Sequence, residues 1–206
     1  PILIEPKFGE IPPSNLQFSH GKTKMQGQKR KEKVYQIPVG FNVSSSLVEL
    51  PAAVPIKLDI PAGVDGDKKT WLKVPPLNPG ETRILFLFPS GTGKTTWKRP
   101  PIFRSFNADP LNFPANRVAT INISSLPIKV VVGEASAVLP KGESHIFKIE
   151  PIQGLIRIAA ADSSGKAIMN TAFRGDRSMR AVHLFHDDPT KGSSVVSIDI
   201  FHPEGE

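Results

Sequence analysis

Proline interrupts this chain so often that a helical fold is excluded at the outset. Twenty-one of its 206 residues are proline, about twice the usual share of roughly 5%, and each removes a backbone donor and breaks a helix interior. The two longest proline-free windows, 14–37 and 152–188, are themselves cut by Gly21 and Gly27 and by Gly154, Gly165 and Gly175. Glycine inside a helix costs about 1 kcal/mol relative to alanine, so neither window favours a long helix. No apolar run approaches the roughly 20 residues that a transmembrane helix needs.

What fills the space between prolines is a series of short apolar or alternating runs at 34–39, 56–60, 70–74, 83–88, 118–123, 128–132, 145–149, 155–160, 181–185 and 195–201. Such runs divided by turn residues are the mark of strands in a sandwich or barrel. The turn chemistry is explicit at Asp65-Gly66, Pro79-Gly80, Lys141-Gly142, Ser164-Gly165 and Lys191-Gly192. In 167–173 the apolar Ile168, Met169, Ala172 and Phe173 stand at helical spacing. Gly165 and Gly175 close on either side leave room for two turns at most, so a strand is the expectation there.

An internal duplication organises these runs. Asn42-Val43-Ser44-Ser45 and, after an insertion, Val54-Pro55-Ile56-Lys57-Leu58 are echoed by Asn122-Ile123-Ser124-Ser125 and Leu126-Pro127-Ile128-Lys129-Val130. Leu77, Pro79-Gly80-Glu81-Thr82 and Ile84 are echoed by Leu139, Lys141-Gly142-Glu143-Ser144 and Ile146. Order is kept while spacing shrinks, as expected of one hairpin or Greek-key unit used twice. The expected fold is therefore all-β: two tandem antiparallel β-sandwich domains, immunoglobulin-like or Greek-key, over 1–100 and 101–206, with a junction between Trp97 and Asn116.

Charge divides the same way. The formal charge of +7 resides in the first hundred residues, and the remainder is balanced. Lys22, Lys24, Lys29, Arg30, Lys31 and Lys33 stand against Glu32 in a loop over 22–33. Such a tract is a solvated loop or an arm for weak, non-specific docking on a polyanion, through cations that release its counterions. No aromatic residue is interleaved for stacking on unpaired bases, so specific nucleic-acid recognition is not expected. The absence of cysteine excludes disulfides, cysteine-ligated zinc, iron–sulfur clusters and a thiol nucleophile.

Three strings tempt a chemical reading. Phe86-Leu87-Phe88-Pro89-Ser90-Gly91-Thr92-Gly93-Lys94-Thr95-Thr96 resembles a phosphate-binding loop, but Phe88 stands where its first glycine belongs. Pro100 and Pro101 also end any helix that would begin at Lys94. His183 and His186, in His-Leu-Phe-His-Asp-Asp, with His202 beyond them, supply imidazoles and carboxylates for a metal. Residues three apart on a strand point to opposite faces, however, so both bind one ion only if His186 has entered the turn. Asp65-Gly66-Asp67 is too short for a calcium loop. There is no Gly-x-Ser-x-Gly elbow. No catalytic residue, metal ligand or cofactor is assigned, and an enzyme is not expected.

Phe106-Asn107-Ala108-Asp109, Asn112-Phe113-Pro114-Ala115-Asn116, Asn122-Ile123-Ser124-Ser125, Pro127-Ile128-Lys129-Val130-Val131-Val132-Gly133, Leu139, Gly142-Glu143-Ser144 and, less strictly, Phe185-His186-Asp187-Asp188-Pro189 resemble a group of uncharacterised exported all-β proteins of environmental Gram-negative bacteria. The resemblance covers most of 75–206. It implies export and a non-enzymatic β fold, and it brings no catalytic residues. Periplasmic pilus chaperones are similar in size, basicity and two-sandwich layout, without their subunit-anchoring signature here. The chain starts at Pro1 rather than a methionine, as either a trimmed chain or one that has lost a leader would; with the resemblance, a periplasmic or secreted location is the expectation. The expected function is a non-catalytic envelope or secreted module that binds a protein or glycan partner. The alternative is a chaperone or assembly factor that lends an exposed sheet edge to a partner strand.

Overall fold

The computed structural model of the chain describes residues 15–20, 33–39, 48–59, 70–88, 100–150, 155–174, 179–188 and 192–200. Among these residues there is no helix. They form fourteen strands, and the chain divides into two compact units, Pro1–Asp109 and Pro110–Glu206. The architecture is all-β, with two tandem sandwiches built almost wholly from antiparallel pairs.

In the first unit, β1 (Asn15–His20), β2 (Lys33–Pro38), β3 (Ile56–Asp59) and β4 (Thr70–Val74) form a sheet in the order β2-β1-β3-β4. Period-2 alternation explains these strands, since Leu16 and Phe18 are buried while the alternate residues Gln17 and Ser19 are half-exposed. β4 breaks the alternation, because its pairing with β3 skips from Leu72 to Thr70. The extra residue, Trp71, sits in a bulge, which lets Trp71 and Leu72 both be buried. A second layer comes from β5 (Arg83–Phe88) and β6 (Ile102–Asn107), paired along their whole length. Leu85, Leu87 and Phe103 pack from it onto a core of Leu16, Phe18, Ile56, Leu58, Trp71, Leu72 and Val74. Because β6 belongs with β5, the division of the chain follows Asp109 rather than residue 100.

Arg83 and Glu81 fix the turn that feeds β5. The guanidinium donates through Nε to Glu81 Oε1 at 2.7 Å and through its two terminal nitrogens to the Pro75 and Pro76 carbonyls at 2.9 and 3.2 Å. Glu81 Oε2 accepts from the Asn78 N–H and Nδ2 at 2.9 and 3.1 Å. The Asn78 backbone N–H, followed by Arg83, holds the Glu81 carboxyl below the usual carboxylate range. Arg83→Ala is expected to destabilise the first unit by about 2 kcal/mol, since it strips charge-assisted bonds from a nearly buried carboxylate and two carbonyls. Urea unfolding followed by tryptophan fluorescence isolates this effect, because both tryptophans, Trp71 and Trp97, lie in the first unit. An unchanged midpoint would show the cluster to be a surface decoration.

The second unit runs β7 (Arg117–Asn122), β8 (Ile128–Val132), β9 (Ala135–Leu139), β10 (Ser144–Lys148), β11 (Leu155–Asp162), β12 (Ala167–Arg174), β13 (Arg180–Asp188) and β14 (Gly192–Ile200). Its sheets have the orders β12-β11-β8-β9 and β10-β7-β13-β14, so the chain changes sheet four times. Between them lies a core that includes Val118, Ile128, Val130, Phe147, Ile158, Ala181 and Phe185. One pair departs from the expected antiparallel pattern: β13 lies parallel to β7, Arg180 beside Arg117 through Phe185 beside Asn122. Parallel neighbours need a long crossover, and the whole β8 to β12 excursion supplies it. β13 is the most enclosed strand, with six successive buried residues from Arg180 to Phe185. Even Arg180 is buried, donating to the Phe113 carbonyl at 2.9 Å with its guanidinium over the Phe113 ring.

The duplicated string reappears as duplicated geometry. Glu81 N–H donates to the Asn78 carbonyl and Glu143 N–H to the Pro140 carbonyl, both at 3.1 Å, with Gly80 and Gly142 at φ +75° and +87°. Each turn follows a hairpin, β3–β4 or β8–β9, and leads to the other layer. The Asn42 member lies outside the described residues. The 167–173 segment is a strand, as expected, running antiparallel to β11 with a bulge beside Ala160.

Candidate functional site

Of the six cations in the basic tract, Lys22, Lys24, Lys29, Arg30 and Lys31 lie outside the described residues. Lys33 opens β2 and is exposed, its ammonium 4.7 Å from the centre of the Tyr35 ring. Residues 89–99, with Lys94, also lie outside them, as do Asp65, Asp67 and His202. Among the described residues no three histidine, aspartate or glutamate side chains gather to hold a metal ion. No helix there is long and apolar enough to cross a membrane.

The histidine pair resolves by strand periodicity. β13 continues through Asp188, so His186 is still in the strand and faces away from His183. Asp187, within the same strand, accepts the Ser125 N–H at 3.0 and 3.1 Å and its hydroxyl at 3.2 Å. His183 is 3% exposed. Its Nδ1 lies 2.9 Å from Ser197 Oγ, and its Nε2 has no partner among the described residues. Burial pushes this imidazole down to about 4. A base that weak leaves a serine hydroxyl unactivated at neutral pH. The neighbouring Thr120 hydroxyl is engaged with the His145 carbonyl at 3.1 Å. Thr120 and His183 thus form a buried polar pair on the core face of the sheet, with Ser197 at its exposed border.

The feature that stands apart is the edge formed by β9. Each of the other edge strands of the described sheets contains a charged residue: Lys33 in β2, Lys73 in β4, Arg83 in β5, Arg104 in β6, Lys148 in β10, Arg174 in β12 and Asp199 in β14. β9 reads Ala-Ser-Ala-Val-Leu. Charged side chains on an edge are the usual guard against pairing with another strand, and β9 carries none. Val138, its penultimate residue, is 63% exposed.

Three contacts hold β9 in place, and among the described residues no strand pairs with its other side. It pairs antiparallel with β8 over Val132–Ala135 through Ile128–Leu139. The connection is the two-residue turn Gly133-Glu134, with Gly133 at φ +59°, the position where a tight hairpin of type II′ takes glycine. At the other end, the Leu139 carbonyl accepts Asn122 Nδ2 at 2.8 Å. Asn122 is fully buried at the point where β7 leaves its sheet. Its Nδ2 also donates to the Leu126 carbonyl at 2.9 Å, and its Oδ1 accepts the Ser124 N–H and hydroxyl at 2.9 and 2.6 Å.

The turn also decides which backbone groups are free. A two-residue hairpin makes Val132 and Ala135 a hydrogen-bonded pair, and such pairs alternate along an antiparallel ladder. Ala135, Ala137 and Leu139 therefore bond inward to β8. Ser136 and Val138 direct their N–H and C=O groups outward, a set of donors and acceptors at strand spacing with no strand partner among the described residues. Ala135–Leu139 was not among the runs expected from sequence, since alanine and serine are weak strand formers. The Gly133-Glu134 turn after a strong strand was the available signal.

No family model matches the chain, and no curated protein matches it. Among solved structures, it is similar to the NMR structure of a protein from Eubacterium rectale, at 18% identity over 45% of this chain and 91% of that one, with a TM-score of 0.29.

Proposed function

We propose that this protein is a non-catalytic binding module of the cell envelope or the secreted fraction, and that it acts in assembly by accepting an extended segment of a partner as an added strand on β9. The observation that carries this reading is the uncharged, exposed β9 edge with the outward backbone groups of Ser136 and Val138. Strand addition draws affinity from main-chain bonds and specificity from alternate side chains. The sandwich of the second unit supports the strand, and Asn122 and the Gly133 turn hold its two ends.

Val138→Pro tests this directly. Proline at 138 deletes an outward N–H and leaves every bond to β8 intact, and edge strands tolerate proline at such positions. Peptides selected on the wild-type protein from a displayed random-heptapeptide library are expected to alternate apolar and polar residues and to lack central proline. Their affinity for Val138→Pro should fall by at least about tenfold, equivalent to the loss of roughly one net hydrogen bond and its neighbour's register. Equal binding to the two proteins, with circular dichroism showing both folded, would overturn the reading.

A further inference from the structure

We infer that the partner strand for β9 is the β9 strand of a second copy of this chain, joined antiparallel about a two-fold axis through Ala137. This rests on the reading of β9 as a strand-accepting edge and names its occupant. Pairing about Ala137 sets Ser136 opposite Val138 of the second copy, twice by symmetry. Those are the residues whose backbone groups face outward, so this register closes four main-chain hydrogen bonds and leaves none of them unmet. Shifting the axis to Ser136 or to Val138 sets one of these residues against itself and brings fewer outward groups together.

Charge at the ends of the strand selects the same arrangement. Glu134 immediately precedes β9, and Lys141 follows its end by two residues; both are exposed, and neither joins an ion pair among the described residues. An antiparallel two-fold sets each Glu134 opposite Pro140 of the other copy, one residue from its Lys141, so opposite charges gather at each end of the joined strands. Parallel pairing in register would instead set Glu134 against Glu134 and Lys141 against Lys141. A neutral strand with an acid at one end and a base at the other is thus complementary to itself in the antiparallel sense alone. Such an interface is isologous and closes at two copies, giving a continuous eight-stranded sheet, rather than an open fibre.

Single-cysteine cross-linking tests this on the full chain, which has no cysteine of its own. Ala137 meets itself at the axis as a non-hydrogen-bonded pair, where Cα atoms are about 4.5 Å apart, within the range a disulfide spans. Ala137→Cys is expected to form a disulfide-linked dimer under mild oxidation much faster than Leu111→Cys, although Leu111 is 92% exposed and meets other molecules more freely. By sedimentation velocity, the wild type should move from 22.4 kDa towards twice that mass as concentration rises to the submillimolar range. Glu134→Lys alone or Lys141→Glu alone should weaken the dimer about tenfold, since each change turns two symmetric attractions into repulsions. The double exchange should restore it. Cross-linking of Ala137→Cys no faster than the Leu111→Cys control, or a dimer indifferent to the charge reversals, would overturn the inference. If displayed peptides still bound the edge in a Val138-dependent way, the strand-accepting reading would survive and only its occupant would be wrong.

Discussion

Asn122→Ala is expected to destabilise the second unit by about 4 kcal/mol, a large share of the roughly 5–15 kcal/mol that keeps a domain folded. The side chain serves four partners from a fully buried position: the carbonyls of Leu126 and Leu139, and the N–H and hydroxyl of Ser124. Truncation leaves groups out of water without partners, at about 1–3 kcal/mol each before relaxation. Asn122→Asp discriminates this from a simple packing loss, because it keeps the volume and replaces Nδ2 by an oxygen facing two carbonyl oxygens. Burial and those carbonyls should raise the new carboxyl above its unfolded value. The variant is then stabilised by its proton at low pH and loses that stability as pH rises through the raised pKa. Far-ultraviolet circular dichroism during urea unfolding at pH 5 and pH 7 reads both effects. Aspartate tolerated equally at both values would mean that water reaches this corner.

A second large effect belongs to His183. In the folded protein burial holds the imidazole down to about 4, whereas in the unfolded chain it takes a proton near its ordinary value of about 6.5. Between these values the unfolded state binds more protons, so stability is complete above about pH 6.5 and declines as pH falls. The decline should reach about 2 kcal/mol at pH 5 and about 3 kcal/mol at pH 4, from the separation of the two values. Glu81 and Asp162 add a loss of their own at lower pH, because both carboxyls are held below the usual range. Asp162 is held there first by the Ser164 hydroxyl, and its Oδ1 also takes the N–H groups of Ser164 and Lys166 in the β11–β12 turn. His183→Leu should remove the slope between pH 7 and pH 5 and leave the acid limb unchanged. The same slope in the variant would assign the transition to another group.

Local chemistry fixed most of the strands. At 70–74, 83–88 and 128–132 the expected runs coincide with β4, β5 and β8 to the residue, because alternating or β-branched stretches between turn residues have few other options. The turn glycines Gly80, Gly142 and Gly165 all adopt positive φ, a conformation that residue type alone foretells. Where the signal was weak, neighbours decided. β1 lies in a window judged only by its glycines, and β6 follows Pro100 and Pro101 and reads as a linker until β5 pairs with it. β9 is a strand because Gly133 folds it back onto β8.

The sequence by itself thus determined the class, the alternation of buried and exposed positions, and the turns, since these depend on residues a few positions apart. Tertiary structure alone decided that β13 lies parallel to β7 and that Arg180 and His183 sit inside. It also decided that Asn122, legible as part of a repeated string, clamps two crossings of the sandwich. The identity of the open edge belongs to this second group. Whether a strand is flanked on one side or two is set by partners that arrive from far along the chain, and no local pattern of side chains records which strand will be left without a neighbour.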